Sequence, residues 1–482
     1  MGVHSHKCVS SDGLGVGAND WKPFVLFDVA AVALTSGALG GVAEAFSLQE
    51  ISARTSSVIQ VLDQSDPFLG PQAGVRSVLV PTAIDPAQLP RLGGVALLEQ
   101  LTLLSASDLS SYVASNPGSL QSLIENPPAA TTVIPLWAKL SPAKQASLMQ
   151  YAPELVGNLE GVPFATRNTA NRAHLANSIA ATKTAIDAGT GRGSLVDLRH
   201  KYEVLLQVER ALTAPRGEPE RQLLSFEPDV GDGRAAIAIG DISTADYVSY
   251  LVPGMFFTLQ AALYDWASIS QDLVDQQNEW VDRLATTDPS YRGKTVAAVA
   301  WIGYSTPGIF DIASLDRANE GATLLGRAIT GIQSVRTGSE PYLTLVTHSY
   351  GSTAAMIELA KGGIQVDALV MIGSPGSAAQ SASALSVKND NVFVGEAAWD
   401  PVVNMAFYGS DPGASSFGAH SMSVAGGVDA VTRKTMAAAI GHLGYFDPGT
   451  EAMRNIALIG LGENALVTDG TRKDASRTLA SR

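Results

Sequence analysis

"YLTLVTHSYGSTAAMIELA", residues 342–360, reads as an apolar run, a tight turn and a helix, with Ser349 at the turn. The run is rich in branched residues, as a buried strand requires, and "GSTAAMIELA" has good helix formers throughout. A serine raised on such a turn needs small neighbours two positions away on each side, because the helix and the adjacent strand pass close. The G-x-S-x-G pattern supplies them. Gly351 meets the demand, whereas Thr347 stands where the first glycine is expected and is larger and stiffer. The helix that follows turns backbone N–H groups towards any negative charge developing near Ser349. The plain alternative is a serine that only caps the helix.

A nucleophilic serine needs a base, and the base needs an acid to orient it. In this architecture the chain order is serine, acid, histidine. The seven histidines are at 4, 6, 174, 200, 348, 420 and 442, and two of them follow Ser349. His442 in "GHLGYFD" has glycine close on both sides and is the preferred base. His420 in "FGAHSMS" reads as a loop histidine near the pocket mouth or on the surface. His348 adjoins the serine, so its side chain points the other way. For the acid, Asp400 ends the run "NVFVGEAAWD" (391–400) on the same sheet edge as Ser349. Asp411 in "GSDPG" reads as a turn aspartate, and Glu396 within the run faces either way. The oxyanion site expected here combines the N–H of Tyr350 with one from the loop "LVPGMFF" (251–257). There Gly254 permits close approach, and Met255 or Phe256 donates.

Working outward, apolar runs at 235–241, 246–255, 295–304, 342–349, 366–374 and 391–400 alternate with amphipathic helices. That alternation predicts an α/β fold with a mostly parallel sheet and helices on both faces, its ligands bound at the strands' carboxyl ends. Leu259, Leu263, Trp266, Leu273, Trp280 and Leu284 mark one helix stripe. Leu324, Leu325, Ala328, Ile329, Ile332 and Val335 mark another. Upstream, "GGVALLEQLTLL", "SPAKQASLMQYAPELV" and "VDLRHKYEVLLQVERAL" have helical spacing. The polar "TAPRGEPERQ" (213–222) is the expected boundary. The organisation predicted is a variable segment 1–60, a mainly helical region 61–215, a catalytic domain 216–465 and a tail 466–482. The helical region covers the sheet edge or lids the pocket. Within it Asn168, Asn171 and Arg172 of "TRNTANR" read as structural hydrogen-bonding residues. Glycine-rich "GLGVGAND" (13–20) follows no strand and reads as a loop.

The chain of 482 residues is 46 % hydrophobic and 16 % charged, with a net charge of −14. This acidity argues against a nucleic-acid partner, which needs clustered Lys and Arg. A lone Cys8 permits neither an intrachain disulfide nor a cysteine zinc site. No metal or organic cofactor is implied. "VAAVALTSGALGGVA" (29–43) is Ala-rich and lacks a basic run before it, so it reads as a helix rather than a signal or spanning segment. A cytoplasmic location is slightly favoured over a secreted one, with association with a membrane or cell envelope left open, as is the oligomeric state.

"LVPGM", "WIGY", "THSYGS", "IGSPG", "AWDPV" and "GHLGYFDPGTEAMRNIA" occur in that order. Together they resemble a mainly actinobacterial α/β-hydrolase family classed as a domain of unknown function. Residues 136–175 resemble the helical region that often precedes that domain. The resemblance spans roughly residues 130 to 465. It implies the α/β-hydrolase fold and a triad of Ser349, Asp400 and His442. The family usually reads G-H-S-Y-G, so Thr347 departs from it too, and the family label gives no substrate. The expectation is a serine hydrolase acting on a small-molecule or lipid-like carboxylic ester. Acyl transfer or amide hydrolysis on the same residues, or a non-catalytic binding protein, are the alternatives.

Overall fold

The computed structural model describes residues 86–189, 192–308 and 312–471. Cys8, the loop 13–20, the Ala-rich stretch 29–43 and the end of the tail therefore lie outside the described residues. The described residues fall within one compact unit. Its first part is helical: α1 (Gly94–Leu103), α2 (Ala106–Ser115), α3 (Pro117–Glu125), α4 (Ala130–Ala138), α5 (Pro142–Tyr151), α6 (Pro153–Asn158), α7 (Phe164–Ala188) and α8 (Arg192–Ala211). The stretch "SPAKQASLMQYAPELV" is two helices, not one, because Pro153 cannot continue α5 and instead begins α6. Leu97, Leu101, Leu120, Leu155 and Val162 belong to a core that these helices keep to themselves.

Eight strands then form one sheet: β1 (Gln222–Glu227), β2 (Arg234–Ile239), β3 (Tyr247–Val252), β4 (Val296–Ile302), β5 (Tyr342–His348), β6 (Ala368–Ile372), β7 (Val392–Gly395) and β8 (His420–Ser421). Their order is β1-β2-β4-β3-β5-β6-β7-β8. β1 and β2 pair antiparallel, as do β2 and β4, and every other pair is parallel. All seven residues of β4 are buried, the continuous apolar run that a strand covered on both faces needs.

Side chains alternate between two cores. Ile237, Ala300, Val346 and Val370 face α8, α9 (Leu259–Leu284) and, after β8, α12 (Glu451–Gly460). Val248, Val299, Leu345 and Leu369 face α10 (Asp316–Val335) and α11 (Tyr350–Lys361). Trp266 of α9 is fully buried, and its indole N–H donates to the Leu251 carbonyl at 3.0 Å, so the stripe is both packed and satisfied.

The helical region covers the sheet edge. Among the described residues no further strand lies beside β1, and asparagines of α6 and α7 take that place. Asn158 brackets Phe226: its amide donates to the Phe226 carbonyl at 2.9 Å and its oxygen accepts the Phe226 N–H at 2.8 Å. Asn168 accepts the Leu223 N–H at 2.9 Å, and Asn171 donates to the Leu223 carbonyl at 3.0 Å. Arg172 donates to Asn168 and to the Arg221 carbonyl. Side-chain amides thus satisfy an edge that would otherwise invite another strand.

Three expectations shift. The sixth run is a strand only at Val392–Gly395, and Asp400 lies in the loop beyond it. Trp399 at φ 63° and Pro401 turn the chain out of the sheet there. β1 begins inside the expected linker, at Gln222, and β8 holds His420 rather than a loop.

Candidate active site

β5 delivers Ser349 to the carboxyl edge of the sheet. Its φ of 53° and ψ of −130° are strained for a residue with a side chain. Two hydrogen bonds and one close backbone approach hold that turn. The Ser349 N–H donates to the Ile372 carbonyl at 3.0 Å. Ser352 Oγ donates to the Ser349 carbonyl at 2.6 Å. A Cβ on Gly351 would stand 2.4 Å from the Pro253 carbonyl oxygen, so only glycine fits there.

Thr347 solves its own problem. It is fully buried, and its hydroxyl donates to the Val370 carbonyl on β6 at 2.8 Å. The larger side chain is thus accommodated towards β6 with its polar atom paired.

His442 Nε2 lies 2.8 Å from Ser349 Oγ, and its Nδ1 lies 2.9 and 3.0 Å from the two Asp400 carboxylate oxygens. The carboxylate can only accept, so Nδ1 carries the proton and Nε2 offers its lone pair to the serine hydroxyl. Asp400 also accepts from the Tyr445 hydroxyl at 2.6 Å and the Val402 N–H at 2.9 Å. Burial pushes its carboxyl up. The bonds from His442, Tyr445 and Val402 outweigh that, and Asp400 sits below the ordinary carboxylate range. The two loops are stitched together: the Gly441 N–H donates to the Ala398 carbonyl, and the Ala397 N–H donates to the Tyr445 hydroxyl.

The loop after β3 closes the other side of the serine. A Cβ on Gly254 would lie 3.1 Å from Ser349 Oγ. Tyr304 donates to the Pro253 carbonyl at 2.8 Å and Thr306 to the Phe257 carbonyl at 3.2 Å, which pins this loop in place. The Phe256 N–H donates to the Pro307 carbonyl at 3.3 Å, and Met255 beside it is buried. Tyr350 is the first residue of α11, and its side chain is turned aside, its hydroxyl donating to the Ser314 carbonyl at 2.8 Å.

The remaining candidates lie elsewhere in the network. His420 is exposed on the edge strand β8 with its ring 5.3 Å from that of Phe393. Asp411 accepts the Gly413 N–H at 3.0 Å, as a turn aspartate does. Glu396 lies against Gly413. Reading the sequence missed the part that two residues, Tyr445 and Gly373, play here, and the contact that a third, His348, makes. Tyr445, three places after His442 in "GHLGY", orients Asp400. Gly373 of "IGSPG" has φ 58°, and a Cβ there would come within 2.9 Å of Asp400 Oδ2 and 3.0 Å of His442. His348 packs its ring 4.7 Å from that of His442. Among the described residues no cluster of His, Cys, Asp or Glu is arranged to hold a metal ion, and no helix is long and apolar enough to cross a membrane.

The strand order, with its antiparallel second strand and a strained serine turn after β5, is the α/β-hydrolase fold. Residues 229–410 match a family model described as alpha/beta hydrolase, so the sequence from β2 to the loop beyond Asp400 carries that family's pattern. Two uncharacterized proteins of Mycobacterium tuberculosis are similar in sequence. Rv2079 is 28 % identical over 381 residues, 69 % of this chain and 56 % of that protein. Rv0963c is 28 % identical over 172 residues, 36 % of this chain and 63 % of that protein. The chain thus spans about half to two thirds of the length of these relatives. Among solved structures, carboxyl esterase 2 of the fungus Tuber melanosporum overlaps at TM-score 0.32 with 12 % identity, covering 53 % of this chain and 88 % of that one. An esterase from the archaeon Pyrobaculum calidifontis overlaps at TM-score 0.29 with 12 % identity, covering 60 % and 97 %.

Proposed function

We propose that this protein is a serine hydrolase that cleaves carboxylic esters through an acyl-enzyme. The observation that carries the reading is the continuous chain from Ser349 Oγ through His442 to Asp400, on a serine held at φ 53°. Ser349 Oγ attacks the ester carbonyl carbon while His442 Nε2 takes its proton. Asp400 keeps the imidazole in the tautomer that can do so and stabilises the imidazolium that forms. The oxyanion is met by the N–H groups of Tyr350 and Met255. His442 then returns the proton to the leaving alcohol. Water, deprotonated by the same nitrogen, attacks the acyl-enzyme and releases the acid. No step calls for a metal or an organic cofactor.

Support for an apolar substrate comes from the rim. Trp399 is 88 % exposed and adjoins Asp400, and Ile440 is 65 % exposed two residues before His442. Ala398 and Ile440 are paired by a β-bridge, which places these two segments side by side. Phe407 packs on Tyr408, which packs on Tyr350 beside the serine. Exposed apolar side chains on the two segments that carry the acid and the base suit an acyl chain or a lipid-like ester rather than a charged one.

The test is a panel of p-nitrophenyl esters from acetate to decanoate. The reading predicts hydrolysis by the intact protein, with kcat/KM rising from acetate to longer chains. No turnover of any ester would count against it. Product analysis with an added alcohol separates hydrolysis from acyl transfer.

A further inference from the structure

We propose that His348 is a positioning residue for His442: its imidazole holds the main-chain carbonyl of the base and so fixes where His442 Nε2 stands relative to Ser349. The inference rests on the functional reading above and adds to it a residue with no part in the chemical steps.

His348 Nε2 lies 2.7 Å from the His442 carbonyl oxygen. A carbonyl only accepts, so the proton is on Nε2, and Nδ1 is left buried without a hydrogen-bond partner. The ring is 1 % exposed, with Phe446 at 5.8 Å and Phe257 and Tyr445 both at 6.2 Å. An apolar side chain would fill that space without leaving a buried nitrogen unpaired, an arrangement that disfavours the folded state. What the imidazole supplies in return is the one bond to His442.

The bond joins the two halves of the site by a short route. His348 ends β5, whose register against β3 and β6 is fixed, and it directly precedes Ser349. His442 comes from a loop in which Gly441 has φ 68° and Ile440 is exposed. Tying that loop to the residue before the nucleophile sets the gap between base and serine. Neutrality is part of the role. Burial, and then the neighbouring His442, pulls His348 down to about 3, so it carries no charge when the adjacent ring becomes an imidazolium.

The experiment compares wild type, H348F and H348Q. H348F keeps a ring but no donor. H348Q restores an N–H near the position of Nε2. Readouts are the rate of inactivation by a fluorophosphonate, kcat and KM on p-nitrophenyl butyrate, and thermal unfolding. H348F is expected to lose about ten- to a hundredfold in kcat and in inactivation rate, with KM within about twofold, because a small misplacement of a reacting group has that effect. H348Q is expected to recover most of the loss. If H348F reacts at the wild-type rate, or H348Q is as impaired as H348F, the proposal is overturned while the hydrolase reading stands. If wild type does not react at all, both fall together. Nitrogen-15 NMR of histidine-labelled native protein needs no variant. It is expected to show His348 protonated at Nε2 and untitrated from mildly acidic to mildly alkaline pH. A His348 protonated at Nδ1, or titrating in that range, overturns the proposal even if the variants fail to fold.

Discussion

Gly254 stands so close to Ser349 that a Cβ on it would lie 2.5 Å from the serine Cβ and 3.1 Å from its hydroxyl oxygen. Real side chains do not tolerate the first distance, and the neighbouring atoms are a strained backbone and the oxygen proposed to attack the ester. Gly254→Ala is therefore expected to lower kcat by about a hundredfold or more, since a reacting group displaced by about 1 Å loses that much. Steady-state kinetics on a p-nitrophenyl ester, with circular dichroism to confirm folding, checks this.

Asp400→Asn keeps the shape of the acid but lets the amide N–H face His442 Nδ1, which favours the wrong tautomer. The loss expected in kcat is on the order of ten-thousandfold, as in the general serine–histidine–aspartate scheme. A variant retaining a tenth of wild-type kcat would place the acid elsewhere, and Glu396 would be the next residue to change.

Tyr445→Phe removes one hydrogen bond from Asp400 and strips the acceptor from the Ala397 N–H. Asp400 is held below its ordinary range in the folded state, so the stability it contributes is fully present above the unfolded value of about 3.9. That stability is lost as pH falls through the lower folded value. Without Tyr445 the folded value rises and less of it remains to be lost. The variant is expected to have a lower Tm than wild type at pH 7, with the gap narrowing towards pH 3, and a kcat reduced by about tenfold. Thermal melts across that range give the answer, and a gap that widens on acidification would contradict this account of Asp400.

Much of this arrangement could be read from the chain alone, and the limits are physical. β4 and β5 are continuous apolar runs because both faces are covered, and "THSYGS" has the local shape of its own turn. β1 was hidden because "QLLSFE" follows a polar linker directly, and β8 because two residues carry no pattern. His348 could be set aside as a base from its place in the strand, but its bond to His442 joins residues 94 apart. Tyr445 reaches Asp400 across 45 residues. Such pairings depend on how two loops meet, which no local window contains.

Thr347 marks the same boundary. Its hydroxyl is paired with the Val370 carbonyl across the sheet, so the residue is a packing choice rather than a defect in the turn. Thr347→Gly is expected to cost about 2 kcal/mol, from the lost hydrogen bond, the space left behind and a glycine within a strand. Its kcat is expected within a few-fold of wild type. Urea unfolding and ester kinetics test the two parts separately.

Asn158 gives a control away from the site. Asn158→Ala leaves the Phe226 N–H and carbonyl of β1 without their partner. It is expected to lower stability by about 1–3 kcal/mol with kcat unchanged. A fall in kcat at full stability would show that the helical region acts on the site and not only on the sheet edge.

The central claim is that Ser349 is a nucleophile activated by His442. Intact-mass analysis after treatment with a fluorophosphonate probe tests it most directly. The account predicts one phosphonyl adduct on the wild-type protein, mapped to the peptide containing Ser349, and none on Ser349→Ala. An unmodified wild-type protein, or an adduct that persists in Ser349→Ala, would contradict it.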